Sequence, residues 1–365
     1  MQRALELAAL GARSTQPNPR VGCVIAQGET IIGEGWHVRA GEPHAEVFAL
    51  RAAGERARGA TAFVTLEPCN HHGRTPPCTE ALIGAGVARV IFANGDPNPE
   101  VDGRGIARLR EAGIAVEMGL LAEAGEELNL GFFSRMRRAR PWLRVKVAAS
   151  LDARTALANG ESRWITSEAA RADVQQWRAE SAAILSSSAT VLADDPALTV
   201  REGDASRQPL RVILDRLGRV PSQARVFSGP GEAVRLTSAH GEIDTNSATQ
   251  PVANADIGSR GRVRRVNLPL GSSGRLSLPA VLAWMGTERL NEVWTEAGPT
   301  LAGALVTEQL VDELVVYLAP RLLGPDARPL LALPPLGRLA DSSAWRVCDL
   351  RQIGPDIRII LRPTH

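Results

Sequence analysis

Along the first third of the chain, apolar and polar positions switch repeatedly between the helical and the extended period. Residues 4–12 repeat apolar positions at helical spacing, and residues 21–25 and 30–35 read as a hairpin about Gln27-Gly28-Glu29. An Ala-rich helical run with Val47, Leu50 and Arg51 follows His44 and reaches Arg58. Then come a strand over 62–66, a helix over 79–85, a strand over 89–93, a helix over 105–112 and a strand over 114–118. A closing helix over 123–137 stops before Arg140-Pro141, a natural boundary. Such alternation predicts a sheet with helices on both faces, so residues 1–139 read as one α/β domain.

Residues 140–365 hold a second α/β set. Strands are expected over 143–149, 182–186, 210–214, 292–295 and 312–319. Helices are expected over 167–180 and 300–309, the second opened by Gly298-Pro299. Residues 228–261 are rich in Gly, Ser, Asn, Ala and Thr with weak periodicity. They read as a surface excursion around one edge strand, 233–237, and not as a third domain. No internal repeat stands out.

Composition narrows the class. A chain of 365 residues suits two domains with a core each. A net charge of +2 gives no reason to expect nucleic acid or an acidic membrane as partner. No run approaches the roughly 20 apolar residues that span a bilayer, and no signal peptide is visible, so a cytoplasmic protein is expected. Four cysteines are too few for a disulfide scaffold. Cys23 and Cys348, in apolar surroundings, read as small core residues. Five arginines over 135–144 surround Pro141 and read as a solvated linker. Lys146 is the single lysine in an arginine-rich chain. Either it survives by chance, or its strand needs a compact ammonium in place of a planar fork.

The chemistry concentrates in His44-Ala45-Glu46, Pro68-Cys69 and Pro76-Pro77-Cys78. One imidazole and two thiolates form a natural tetrahedral set for Zn²⁺ with the fourth position open, the arrangement of a catalytic site. Glu46 is then spare as a proton carrier. The pattern is the H-x-E, P-C-x-x-C signature of zinc deaminases, except that eight residues separate Cys69 from Cys78. Residues two apart on a helix diverge by about 200°, so His44 and Glu46 converge only if His44 stands at the start of its helix. Glu42-Pro43 supports that start, and Cys78 opens a helix of its own, where the dipole favours thiolate. A structural zinc would need a fourth protein ligand, which His71 or His72 could supply.

Nearly the whole chain resembles the bifunctional riboflavin biosynthesis deaminase/reductase family. The N-terminal motifs are residues 17–25 (PNPRVGCVI), residues 66–78 (LEPCNHHGRTPPC), whose long cysteine spacing is that family's variant, and Asp96-Pro97-Asn98-Pro99. Ala149-Ser150-Leu151-Asp152, Trp164-Ile165-Thr166-Ser167, Asp194-Asp195-Pro196 and residues 296–303 (EAGPTLAG) follow in the family's order. The resemblance implies a cytidine-deaminase-like three-layer α/β/α domain over 1–139 and a dihydrofolate-reductase-like α/β domain over 140–365. It implies deamination of a phosphoribosyl pyrimidine followed by NADPH reduction of its ribosyl group, by a homo-oligomer (dimer or tetramer). It further implies that Asn18, His37, His71 and Arg74 contact the pyrimidine and its phosphate, with Asp96 and Asn98 as weaker candidates. The family often has lysine where Arg74 stands. NADPH is placed near Ala148, Trp164, Thr190 and Asp194 and at the helix opening Gly298, Pro299, Thr300, Leu301, Ala302, Gly303 and Ala304. The ribotide is placed near Ser162, Arg178, Leu198, Arg201 and Glu296. A G-x-G-x-x-G fingerprint is absent, which argues against a Rossmann domain.

Two rival readings stand beside this one. A zinc deaminase acting on a nucleic-acid base is opposed by the near-neutral charge and by 4% aromatic residues, too few for stacking platforms. A structural zinc domain joined to an inactive reductase fold would have no use for Glu46.

Overall fold

The computed structural model describes residues 1–70, 77–99, 101–202, 207–238 and 263–364. It divides into two compact units, Met1–Ala139 and Arg140–His365.

The first unit begins with α1 (Gln2–Ala9), β1 (Gly22–Gln27), β2 (Thr30–Trp36) and α2 (Ala45–Ala53). It continues through β3 (Thr61–Leu66), α3 (Cys78–Ala85), β4 (Arg89–Asn94), α4 (Arg104–Glu111) and β5 (Ala115–Met118), and closes with α5 (Ala122–Leu128) and α6 (Leu130–Arg138). The strands lie in the order β2-β1-β3-β4-β5, antiparallel through β1 and parallel from β3 to β5. Alternate residues of β1 serve opposite faces. Cys23 and Ile25 join a core with Ala45, Ala49 and Ala53 of α2, whereas Val24 packs with Ala4 and Leu7 of α1. Helix α2 lies so close to β2 that a Cβ at Gly33 or Gly35 would overlap its backbone at Ala45, Ala49 and Ala53. The small residues of α2 thus bring His44 and Glu46, at its start, down onto the sheet.

The expected single helix over 123–137 is broken at Asn129, which has φ −122° and ψ 25°. Its carboxamide accepts from Arg20 N (2.8 Å) and donates to Arg20 O (2.9 Å), and that strand-like pairing outweighs one more helical turn.

The second unit opens with β6 (Trp142–Ser150), β7 (Arg154–Ala156), α7 (Glu168–Glu180), β8 (Ala183–Ser187) and α8 (Ser188–Asp194). Next are β9 (Leu210–Leu214), α9 (Arg225–Ser228), β10 (Ala233–Thr237), β11 (Val263–Asn267), α10 (Leu278–Thr287) and β12 (Glu292–Glu296). The last elements are α11 (Pro299–Thr307), β13 (Glu313–Ala319), β14 (Arg328–Pro329), β15 (Trp345–Ile353) and β16 (Asp356–Pro363). The main sheet runs β11-β10-β9-β8-β12-β6-β13-β16-β15, parallel except for the hairpin β15–β16, which pairs antiparallel with β13. Leu143, Val145 and Val147 of β6 pack with α10 and α11 on one face. Ile184, Ile213 and Trp294 pack with α7, α8 and α9 on the other. Charged Arg144 and Lys146 alternate with the apolar residues of β6.

Several expectations are corrected here. Residues 233–237 form a strand that is interior, not an edge, because β11 pairs beyond it; residues 239–262 of the expected excursion lie outside the described residues. Cys348 is exposed on β15, not in the core. The arginines of 135–144 are not a solvated linker. Arg135 donates to Pro17 O (3.2 Å), Arg140 pairs with Asp312 (2.9 Å), and Arg144 bridges Glu292 and Glu313. Helix α10 and the hairpin β15–β16 are not among the elements the pattern predicts. Helix α10 is apolar on nearly every side, so it shows no helical period. In β15 a bulge between Val347 and Asp349 interrupts the two-residue alternation.

The close approach of α2 and β2 makes a test. Gly35→Ala is expected to cost roughly 1–3 kcal/mol through overpacking, seen as a lower calorimetric transition temperature of the full chain. Gly84→Ala, in α3 where an added Cβ meets nothing, is expected to hold or raise it.

Candidate active sites

In the first unit, the elements that carry the chemistry converge at the carboxyl ends of β3 and β4. His44 is the N-cap of α2 with extended backbone (φ −78°, ψ 168°), so its ring leaves the helix at an angle that no interior position allows. Glu46 lies in the first turn of α2, two residues past the cap, and is 3% exposed. Cys69 follows β3, and Cys78 is the first residue of α3, with its backbone N–H on Cys69 Sγ (3.5 Å). Thr79 N–H donates to the Cys69 carbonyl (3.2 Å), which fastens the two cysteine segments together.

His44 Nδ1 lies 3.2 Å from Cys78 Sγ and 3.5 Å from Cys69 Sγ. All three donor atoms lie within 4.8 Å of one another. A tetrahedral zinc would hold a nitrogen and a sulfur ligand about 3.6 Å apart, so the set fits that ion. The Cys78 thiol and His44 pull Cys69 down to about 4, while Cys78 is pushed up by its contact with Cys69 and by burial. The cysteines thus divide one negative charge, a conflict that a divalent cation relieves by ionising both. Burial foremost raises Glu46. Its Oε2 is buried without a hydrogen-bond partner among the described residues, beside the Cys78 thiol, which also acts on this carboxylate.

His37 is buried beside this cluster, its ring edge-on to His44 at 5.3 Å between centroids. Its Nδ1 lies 3.2 Å from the Pro43 carbonyl and its Nε2 lies 3.1 Å from Asn18 Nδ2. A carbonyl only accepts, so Nδ1 carries the proton, Nε2 accepts and Asn18 Nδ2 donates. That settles the Asn18 carboxamide and leaves its Oδ1 to accept from another group. Burial lowers the pKa of His37 and keeps it neutral. The expected His71 and Arg74 lie outside the described residues, as does His72.

In the second unit, Glu296 ends β12 in register with Lys146 of β6. Arg178 of α7 grips the Glu296 carboxylate with two bonds, Nε–Oε1 2.5 Å and the terminal nitrogen to Oε2 2.8 Å, and donates to Thr199 O (3.0 Å). Burial works against the Glu296 charge, yet Arg178, Lys146 and Trp294 hold it down at about 2. Trp294 reaches it through Nε1 (3.0 Å), a contact that sequence reasoning missed. The signal was there in principle, since residues two apart on a strand share a face. Burial lowers Lys146 most, with Glu296 opposing and Arg178 assisting.

The remaining expected residues lie on several elements of this unit. Gly298 is the N-cap of α11, with its N–H on Thr190 Oγ1 (3.2 Å). Gly298 and Thr300 are exposed, while the side chains of Leu301 and Ala302 join the core. Gly303 serves packing, because a Cβ there would overlap the backbone of Ala332. Ala304 and Ala148 are half-buried. Trp164 is 63% exposed under the Arg171 guanidinium, and its neighbour Arg163 donates to Asp194 O (2.7 Å). Leu198 is buried at φ +50°, Arg201 is tied by its N–H to Gln175 Oε1 (3.0 Å), and Ser162 is half-buried.

Residues 1–94 match the cytidine and deoxycytidylate deaminase zinc-binding region, and residues 141–359 match the RibD C-terminal domain. The riboflavin biosynthesis protein RibD of Escherichia coli is 51% identical, across 98% of this chain and 96% of its own. That of Haemophilus influenzae is 45% identical, across 100% and 96%. The structure of Acinetobacter baumannii RibD, form 1, has a TM-score of 0.89 and 44% identity, covering 100% of this chain and 98% of that one. A Thermotoga maritima diaminohydroxyphosphoribosylaminopyrimidine deaminase/5-amino-6-(5-phosphoribosylamino)uracil reductase has a TM-score of 0.84 and 31% identity, covering 100% and 97%.

The donor set makes its own prediction. One cobalt per chain, loaded in place of zinc, is expected to give the visible and near-ultraviolet bands of a tetrahedral ion with two thiolates. Cys69→Ser is expected to halve the thiolate band and weaken metal binding at least about 100-fold; an unchanged spectrum would remove Cys69 from the site.

Proposed function

This chain belongs to the RibD family of riboflavin biosynthesis proteins, and from that premise we propose that its two units act in sequence on one small phosphoribosyl pyrimidine. It is a bifunctional enzyme, a deaminase domain followed by a reductase domain. The observation that carries the first assignment is the His44, Cys69 and Cys78 cluster beside buried Glu46, whose Oε2 has no hydrogen-bond partner among the described residues.

In the deaminase unit, 2,5-diamino-6-(5-phosphoribosylamino)pyrimidin-4(3H)-one loses its 2-amino group as ammonia and becomes 5-amino-6-(5-phosphoribosylamino)uracil. His44, Cys69 and Cys78 hold zinc, whose Lewis acidity brings a water towards a neutral pKa. Glu46 accepts a proton at Oε2 from the attacking water and delivers it to the departing amine. Asn18 Oδ1, oriented through His37, accepts from the pyrimidine. Of the residues outside the described ones, His71 reads the ring and Arg74 takes the phosphate.

In the reductase unit, NADPH supplies the hydride that turns the ribosyl group into a ribityl chain. Ala148, Trp164, Thr190, Asp194 and the run from Gly298 to Ala304 hold it, with phosphate at the amino end of α11. Ser162, Arg178, Leu198, Arg201 and Glu296 hold the ribotide. The Arg178 fork keeps the Glu296 carboxylate ionised and turned to one side, ready to accept from ribose hydroxyls. Lys146, level with Glu296 across β6 and β12, presents an ammonium to an oxygen of the opening ring. The enzyme works in the cytoplasm as a homo-oligomer, with neither nucleic acid nor a membrane as partner; no helix among the described residues is long and apolar enough to cross a membrane.

The decisive assay supplies the zinc-loaded protein with NADPH and the diaminopyrimidinone ribotide alone. NADPH oxidation is expected for the wild type. Glu46→Gln is expected to keep its zinc and lose deamination by about 10²–10⁴-fold, with reduction of the already deaminated ribotide intact. Oxidation at the wild-type rate in Glu46→Gln would break the link between the two steps. Lys146→Arg is expected to slow reduction at least about tenfold while deamination stays the same; an unchanged rate would take Lys146 out of the reaction.

A further inference from the structure

Glu67 stands two residues before Cys69 and is 4% exposed. It accepts from four backbone N–H groups of one later stretch of chain. Oε2 takes Asp96 (3.4 Å) and Gly103 (3.2 Å), and Oε1 takes Gly105 (3.1 Å) and Ile106 (3.3 Å). Gly105 and Ile106 belong to the first turn of α4, where N–H groups have no partner within the helix and the dipole favours an anion. Gly105 rests so closely on the Pro68 carbonyl that a Cβ there would overlap it. The residue joining Glu67 to Cys69 is therefore packed against the same turn that the carboxylate holds.

Asp96 opens a turn of its own. Asp96 Oδ1 accepts from Asn98 N–H (2.9 Å), and the Asn98 carbonyl accepts from Val101 and Asp102 (2.8 and 3.0 Å). Glu67 N–H also donates to Asn94 O (2.9 Å), at the place where β3 and β4 end side by side. Ligands of parallel sheets bind outside such carboxyl ends. Glu67 thus joins the segment that carries Cys69 to the turn that follows β4 and to the start of α4.

We propose that Glu67 is a positioning residue of the deamination site: by holding the Asp96–Asn98 turn beside Cys69 it sets how tightly the pyrimidine ribotide binds, without coordinating zinc. The idea rests on the deaminase assignment made above. Glu67→Gln is nearly isosteric, but its NH₂ would oppose one of the two pairs of N–H donors; the helix-terminal pair, Gly105 and Ile106, competes best for the remaining oxygen, so the charge-assisted bonds to Asp96 and Gly103 are the ones lost. The expected result is one zinc per chain, a deamination kcat within about twofold of wild type, and a KM raised roughly tenfold. Amide exchange at Asp96 and Gly103 is expected to quicken, and reduction of the deaminated ribotide to stay the same. An unchanged KM, or zinc loss with KM retained, would overturn the proposal. Should Glu67→Gln not fold, Glu67→Asp, still charged but one methylene short, is read by the same split between KM and kcat. If the wild type does not deaminate the ribotide, the deaminase assignment fails by itself; unchanged exchange at Asp96 and Gly103 in the variant would then show separately that Glu67 holds no turn.

Discussion

Gathering two thiols, an imidazole and a buried carboxylate in one cluster costs free energy unless a cation balances them. Within 4.8 Å of each other, two thiolates repel by roughly 3 kcal/mol or more at an effective dielectric of about 20, and the buried Glu46 adds a third potential charge. A divalent ion turns that repulsion into attraction, and the architecture of the N-terminal unit prepares for it. Helix α2 starts at His44 and lies tight on glycines of β2; α3 starts at Cys78; β3 ends just short of Cys69. Three element ends meet where regular hydrogen bonding stops, and there side chains are free to serve a ligand.

The C-terminal unit solves the opposite problem. Its charges balance among themselves, with Glu296 gripped by Arg178 and Lys146 level with it on the next strand. An ionised carboxylate at that depth persists only because a bidentate cation and an indole N–H hold it. The same device repeats at the other end of β12, where Arg144 bridges Glu292 and Glu313. Stacking of Trp177 on Trp294, with the Arg144 and Arg358 guanidiniums over Trp177, packs the face from which these groups project. Rigid surroundings of this kind suit hydride transfer, which needs alignment and not a protein nucleophile.

The metal cluster was legible because each ligand sits beside a local signal, a Pro before a helix or a Pro-Cys after an apolar strand. Glu46 was legible as a carboxylate beside that cluster for the same reason, and it is buried there. The bonds of Glu67 to residues 96–106 and of Asn129 to Arg20 were not, since each joins backbone groups far apart in sequence and leaves no periodicity behind. Strand 233–237 was visible as a strand, but its interior place depended on β11, beyond a stretch with no period of its own.

By itself, the sequence determined the two α/β units, most of their strands and helices, and the donor chemistry of the zinc site, because these follow from local period, caps and residue type. Only the tertiary structure decided which strand lies beside which, that Cys348 faces outward, that the arginines of 135–144 are paired, and that the His37 ring meets the Asn18 carboxamide. Those outcomes depend on which distant backbone and side-chain groups satisfy one another's hydrogen bonds once water is excluded, and that pairing is a property of the packed chain and not of any segment within it.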